Sequence, residues 1–177
     1  RKPLRNIIPP IFKESNLDLW PEYNPKEARI LLEKEGFCNE KKLKIPLTYR
    51  SNVPSDKLIS LIIQEDIKNN LSDCISIDID GVESTTMYDN LSEGEYPAAI
   101  YDWTGQYPDP EAYLKPLLSC SETVENICKE GESVSGGSFW ASKQVEDLFQ
   151  ESDSLAGNYR LDNLLKIEKI ASESIPY

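Results

Sequence analysis

Residues 74–82 read CISIDIDGV, and this stretch decides the fold. Ile75, Ile77 and Ile79 share one face and Ser76, Asp78 and Asp80 the other, the period of a half-buried strand. Just upstream, SDKLISLIIQEDIKNN (55–70) spaces Ile59, Ile62, Ile63 and Ile67 as a helix does. Before that, KLKIPLTYR (42–50) alternates again. Its Pro46 points to an edge strand or an interruption, because proline has no donor for a ladder. Downstream, STTMYDNLSEG (84–94) reads as a short helix using Met87, Tyr88 and Leu91, and YPAAIYDW (96–103) as a third strand. Strand, helix, strand, helix, strand at these intervals is a βαβαβ unit. It implies an α/β fold with right-handed crossovers and a largely parallel sheet flanked by helices. In such sheets ligands sit beyond the carboxyl ends of the strands. Three segments lie there: YRSN (49–52), DGVE (80–83) and YDWTGQYPDP (101–110).

The flanks are less regular. Residues 1–20 are proline-rich and aperiodic, and are expected to lie on the surface as an extended strap. NPKEARILLEKEG (24–36) is a helix with Asn24 as cap, Pro25 in the first turn, Glu27 at the capping-box position and Gly36 to close it. Ala28, Leu31 and Leu32 give its expected buried stripe. From residue 110 the chain turns helical, with Asp109 as cap, Pro110 opening the helix, and Leu114, Leu117 and Leu118 on its apolar side. A loop rich in Ser, Glu and Gly is expected over 119–138, then one helix with Val145, Leu148 and Phe149 and another with Leu161, Leu164 and Leu165. At 177 residues the simplest organisation is a single domain over 1–177, with 1–20 leading in.

Composition excludes several functions. The balance of 19 basic against 31 acidic residues, net charge −12, opposes nucleic-acid binding, which needs Lys/Arg footprints on phosphates. Much of the acid is solvated helix surface, and the remainder favours a neutral or cationic partner. Histidine is absent, which removes the usual general base and most transition-metal sites. No run approaches the roughly 18 apolar residues of a membrane span. The chain starts at Arg1 rather than Met and reads as a piece of something longer.

Several motifs invite chemistry. Asp78, Asp80 and Glu83 beside a glycine resemble calcium ligands, but Val82 stands where an EF-hand loop needs an oxygen. The plainer reading is a polar strand face ending in a glycine turn. GESVSGGSF (131–139) matches neither a phosphate loop nor a nucleophile elbow, and no imidazole exists to activate Ser133, Ser135 or Ser138. Asp102 and Asp109 are acids with no feature that raises them to acid–base catalysts. Cys120 and Cys128 are either two unrelated thiols or, in an oxidising compartment, a bridge, and we carry the bridge forward. Cys38 and Cys74 are expected to pack as small apolar residues near element ends. Tyr101, Trp103 and Tyr107 are either packing or a binding surface at the strand ends.

Five segments in order carry a resemblance covering nearly the whole chain: YNPKEARILLEKEGF (23–37), LISLIIQEDIKNNL with ISIDIDGVE (58–83), EYPAAIYDWTGQYPDPEAYLKPLLS (95–119), FWASKQVEDLFQES (139–152) and RLDNLLKIEKIASESIPY (160–177). Together they resemble the extracellular solute-binding proteins of peptide, oligopeptide and nickel ABC importers, family 5. The resemblance implies a three-layer lobe of a type II periplasmic binding protein, the second and C-terminal lobe of a two-lobed trap, with both chain ends crossing to the missing first lobe. It implies capture of peptides or related solutes outside the cytoplasm for an ABC permease in the membrane, in a full-length protein either free there or membrane-anchored. It implies no catalysis, cofactor or metal. Rival readings are a carboxylate-dependent α/β hydrolase, and a sensor or chaperone lobe with the same fold.

Within the family's aromatic segment Trp103, Tyr107 and Pro110 match, and the resemblance implies Trp103, Gln106 and Tyr107 as ligand contacts. Relatives that bind free peptides carry an acid at the position of Gln106, pairing with the ligand's α-amine. A neutral amide bonds about half as strongly. Either Asp102 or Asp109 substitutes, or the ligand presents no free amine.

Overall fold

The computed structural model describes residues 6–12, 19–38 and 40–174. The chain forms two compact units. One comprises Glu22–Leu91 and Glu95–Asp102; the other comprises the described residues up to Pro21, then Ser92–Gly94 and the chain from Trp103 onward.

The first unit is the βαβαβ element. Its order is α1 (Pro25–Lys34), β1 (Leu43–Arg50), α2 (Pro54–Leu71), β2 (Ile75–Val82), α3 (Ser84–Ser92) and β3 (Ala98–Ile100). The strands form a parallel sheet in the order β2-β1-β3, with Leu43 opposite Ile75, Arg50 opposite Val82, and Leu47 opposite Ala98. The path steps from β1 to β2 and then back past β1 to β3. Right-handed crossovers with such a reversal send α2 and α3 to opposite faces, giving three layers.

β1 is thus the central strand, which corrects the expectation from Pro46. The N–H groups of Leu43 and Ser51 both donate toward the β2 connection, to Cys74 and Val82 carbonyls at 2.9 and 2.8 Å. Odd-numbered residues therefore aim their donors at β2. The donorless nitrogen of Pro46 faces the other side, where pairing with β3 begins only at Leu47. Gly81 is also not a turn residue. It lies inside β2 opposite Tyr49, and a Cβ there would meet the Tyr49 ring at 2.8 Å.

Helix positions agree better with the sequence than helix faces do. Asn24 caps α1 by accepting the Glu27 N–H at 3.2 Å. Ala28 and Leu32 pack beside Leu71, Cys38 and Cys74, but Leu31 is exposed. On α2 the buried residues are Asp56, Ser60 and Leu71, whereas Ile59, Ile62 and Ile63 face outward with Leu58 and Leu61. Cys38 and Cys74 are not merely small packing residues. They are disulfide-bonded, their sulfurs 1.96 Å apart across 36 positions. A loop of that length stabilises by about 4 kcal/mol in the chain-entropy account.

The second unit holds α4 (Glu111–Leu118), β4 (Glu122–Val124), β5 (Ile127–Glu130), α5 (Glu132–Ser135), α6 (Lys143–Asp153) and α7 (Gly157–Ser174). The expected loop over 119–138 is in fact an antiparallel hairpin followed by a helical turn. The Cys120 and Cys128 sulfurs lie 2.03 Å apart and tie the hairpin to the end of α4. The core joins Leu114, Leu117, Leu118, Val145, Phe149, Leu164, Ile167 and Ala171. Ile8, from the expected surface strap, is fully buried in it, while residues 1–5 and 13–18 of that strap lie outside the described residues.

A buried carboxylate fixes Ile8. Glu168 of α7 is fully buried, and its Oε1 accepts the Ile8 N–H at 2.8 Å while Oε2 has no partner. Burial pushes its pKa above the ordinary glutamate range, against the opposing effect of the backbone donors. A raised folded-state pKa means the native state binds the proton more tightly than the unfolded chain. Stability is therefore full below the ordinary glutamate pKa and declines as pH rises through the folded value. Glu168→Gln keeps an acceptor for Ile8 and cannot ionise, so we expect it to flatten that decline. Urea midpoints from about pH 4 to about pH 8 check this; an unchanged slope in the variant would refute it.

Candidate functional site

The carboxyl ends of the first unit's strands are organised by Arg50, the last residue of β1. A guanidinium at that depth needs partners, since an isolated buried charge is very costly. Its Nε donates to Asp56 Oδ2 at 2.6 Å, with both side chains under 10% exposed, at 8% and 6%. Its Nη1 donates to the Tyr88 hydroxyl at 2.9 Å and pairs with Asp102. Hydrogen bonding to Asp56 leads the effects that raise the Arg50 pKa further, outweighing desolvation. Tyr88 also meets Tyr101 edge-on, ring centroids 6.4 Å apart. α2 supplies Asp56 from its first turn, α3 supplies Tyr88, and the segment after β3 supplies Asp102. Beside them Ser84 donates to Asn52 Oδ1 at 2.5 Å, and Asn52 to Glu83 at 3.2 Å, joining the loops after β1 and β2.

The second unit carries the aromatic stretch as a loop running into α4. The Trp103 indole N–H donates to the Ala112 carbonyl at 2.8 Å, which lays the ring against the helix start. Gly105 makes this course possible, since a Cβ there would stand 2.6 Å from the Tyr113 ring. The cap position of α4 is Pro110 and not Asp109 as expected, but Asp109, one residue earlier, still steadies the helix start, its Oδ1 accepting the Glu111 N–H at 2.8 Å. Arg160 of α7 holds the Asp109 carboxylate at 2.7 and 3.0 Å and also pairs with Glu111. Glu111 in turn binds Lys115 at 3.1 Å.

Trp103, Gln106 and Tyr107 line one cavity of about 230 Å³ with Ala112, Lys115, Pro116 and Glu132. Trp103 and Tyr107 are 40% and 49% exposed, so both rings present a face to solvent instead of closing into core. Partial burial, then the charges of Glu111 and Asp109, raise the Tyr107 pKa, keeping its hydroxyl protonated as donor and acceptor. A larger groove of about 710 Å³ runs between α6 and α7, where the stems of charged residues such as Lys143, Asp147 and Lys169 flank Leu148 and Ile170.

Of the residues expected to contact ligand, the structure brings Trp103, Gln106 and Tyr107 together, and commits Asp109 to Arg160 and the helix start. Asp102 belongs to the other unit, where it pairs with Arg50 and keeps 73% of its side chain exposed. Sequence reasoning missed Arg50, Lys115, Glu132 and Arg160. Only Arg50 had a local signal, a charge standing at the carboxyl end of the first strand, where ligands of parallel sheets sit. Among the described residues no three carboxylates or thiolates are grouped to hold a metal ion, and no helix is long and apolar enough to cross a membrane.

Comparison with known proteins follows the same line. The model of "Bacterial extracellular solute-binding proteins, family 5 Middle" matches residues 1–125. The chain is 27% identical over 139 residues to Di/tripeptide-binding protein 4 of Pseudomonas aeruginosa, covering 75% of this chain and 23% of that one. It is 28% identical over 151 residues to the Dipeptide-binding protein of Escherichia coli, covering 82% and 26%. Among solved structures, the periplasmic binding protein DppA from Helicobacter pylori, in complex with peptide STSA, superimposes with a TM-score of 0.78 at 23% identity, covering 98% of this chain and 32% of that one. The fold is that of the type II periplasmic binding proteins. The chain belongs to the bacterial extracellular solute-binding proteins, family 5, and spans about a quarter of the length of the curated relatives named.

The two partners of Arg50 should differ in cost. Asp56→Ala strands a buried guanidinium and should destabilise the fold by about 3–5 kcal/mol. Asp102→Ala removes an exposed partner and should cost no more than about 1 kcal/mol. Urea denaturation of the two variants decides the matter, and equal losses would contradict it.

Proposed function

We propose that residues 1–177 act as one ligand-binding lobe, the second of a two-lobed solute-binding protein, which captures peptides or related solutes outside the cytoplasm and delivers them to an ABC permease. The observation that carries this reading is the cavity lined by Trp103, Gln106 and Tyr107. Its two rings face outward, and the Gln106 amide has no partner among the described residues. An aromatic pair flanking a free amide suits a peptide backbone, because the rings stack on it while the amide donates and accepts. The relatives named for di- and tripeptides and the solved complex with a tetrapeptide support the same ligand class. The two disulfides fit an oxidising, extracytoplasmic space.

On this reading the lobe binds and does not catalyse. Asp109 positions the aromatic loop through Arg160, and Asp102 holds Arg50. Closure against a first lobe then buries the ligand. The test is calorimetry on the full-length protein with tetraalanine. Trp103→Ala should weaken binding by about 10-fold or more. Gln106→Ala, whose amide holds nothing else in place, should weaken it by roughly 3- to 10-fold. Affinities unchanged in both variants would sink the reading. The isolated 177-residue chain, lacking half of the trap, should bind the same peptide more weakly than about 10 μM.

A further inference from the structure

The cavity of the second unit contains one charge that nothing balances. Its wall includes two ionisable side chains besides Tyr107, namely Lys115 and Glu132. The Lys115 ammonium is held by Glu111 at 3.1 Å and approached by Asp153 at 4.0 Å. Arg160, behind the same wall, is taken up by Asp109 and Glu111. The Glu132 side chain is exposed and has no hydrogen bond or ion pair among the described residues, its backbone carbonyl alone being engaged, by the Gly136 N–H at 2.8 Å. Lys115 and Arg160 are thus already taken up by Asp109, Glu111 and Asp153, and no cation is left for Glu132. The unpaired negative charge is the one on the cavity wall.

We infer that Glu132 is a specificity-determining residue of this cavity, accepting a cationic ammonium group of the ligand between its carboxylate and the faces of Trp103 and Tyr107. The chemistry is that of a cation site. A carboxylate supplies the counter-charge, and aromatic faces attract the cation through their quadrupoles. The unpaired Gln106 amide adds an oxygen acceptor for a second N–H of the same group. The positive charge of Lys115 does not oppose this arrangement, because Glu111 already neutralises it. α5 can place Glu132 reproducibly because the residue beside it is anchored. Ser133, the next residue, is fully buried, with its hydroxyl donating to the Trp140 carbonyl at 2.9 Å and its N–H to the Ser119 carbonyl at 3.0 Å.

This inference rests on the proposed role of the cavity in peptide binding, and its test separates the two. The probes are tetraalanine and N-acetyl-tetraalanine, which present a charged ammonium and a neutral, slightly larger acetamide at the amino terminus, titrated into the full-length protein. The wild type should prefer the free amine by about 10-fold or more. Glu132→Gln should bring the ratio close to one by weakening the free peptide alone, and Glu132→Asp should keep part of the preference. Adding Gln106→Glu to Glu132→Gln returns a carboxylate to the cavity and should restore it. A ratio unchanged in Glu132→Gln, or no preference in the wild type, overturns the inference even where Trp103→Ala still weakens both probes. Failure of the wild type to bind either probe overturns the peptide reading itself, and the inference with it.

Discussion

A guanidinium drawn into the end of a parallel sheet sets the terms for the first unit. Arg50 closes β1, the only one of the three strands with neighbours on both sides, and its side chain is nearly inaccessible. An unpaired charge there would be untenable, so the chain brings a carboxylate from the first turn of α2, a hydroxyl from α3 and a second carboxylate from beyond β3. Each of the crossover helices thus contributes a group to one cation. The direction of the polypeptide after every strand is tied to that cation as much as to apolar burial. Such a pair adds little stability over a well-packed apolar pair, but it specifies one arrangement of the three strand ends, the region where ligands of parallel sheets sit.

Much of this architecture was legible because it follows from periodicity. The alternation of Ile75, Ile77 and Ile79 with Ser76, Asp78 and Asp80 requires an extended chain with one wet face, and β2 has it, with Asp78 and Asp80 exposed. The spacing in α2 likewise requires a helix, but periodicity does not say which face meets the sheet. Ser60 and Asp56 are buried there because each has a polar partner: Ser60 bonds the Asp56 carbonyl at 2.9 Å, and Asp56 holds Arg50. The apolar side, with Leu58, Ile59 and Ile62, is left outward. Pro46 misled for a related reason. The rule against proline in central strands concerns the side toward which its missing donor points, and that side depends on a register no single strand reveals.

Long-range covalent and ionic links were the other blind spot. Cys38 and Cys74 lie 36 positions apart with a strand and a helix between them, so nothing local pairs them. The hairpin Glu122–Glu130 is short and polar, its strands three and four residues long, and its composition is that of a loop. What makes it a hairpin is the cross-link between Cys120 and Cys128 and the donation of the Ser121 N–H to the Glu130 carbonyl at 2.8 Å. At the aromatic stretch the residue types were readable and their environment was not. Trp103, Gln106 and Tyr107 stand out in any reading of residues 101–110, whereas Lys115, Glu132 and Arg160 join them only through the fold.

The charges around the aromatic cavity follow from a division of labour. A wall that is to hold a fixed shape needs its ionisable groups paired with one another, because a paired charge has one favoured geometry and an unpaired one has many. Asp109, Glu111, Lys115 and Arg160 satisfy each other and fix the start of α4, on which the Trp103 ring rests. Glu132 and Gln106 are left out of that network. In water, an unpaired exposed carboxylate and amide incur no desolvation cost while the cavity is open. Closing the cavity over them without a partner would impose that cost in full. On the proposed two-lobed reading, such an arrangement would favour closure on a ligand that supplies the missing cation and donors and penalise closure on an empty or mismatched cavity, so that selectivity would arise from the groups the fold leaves unpaired.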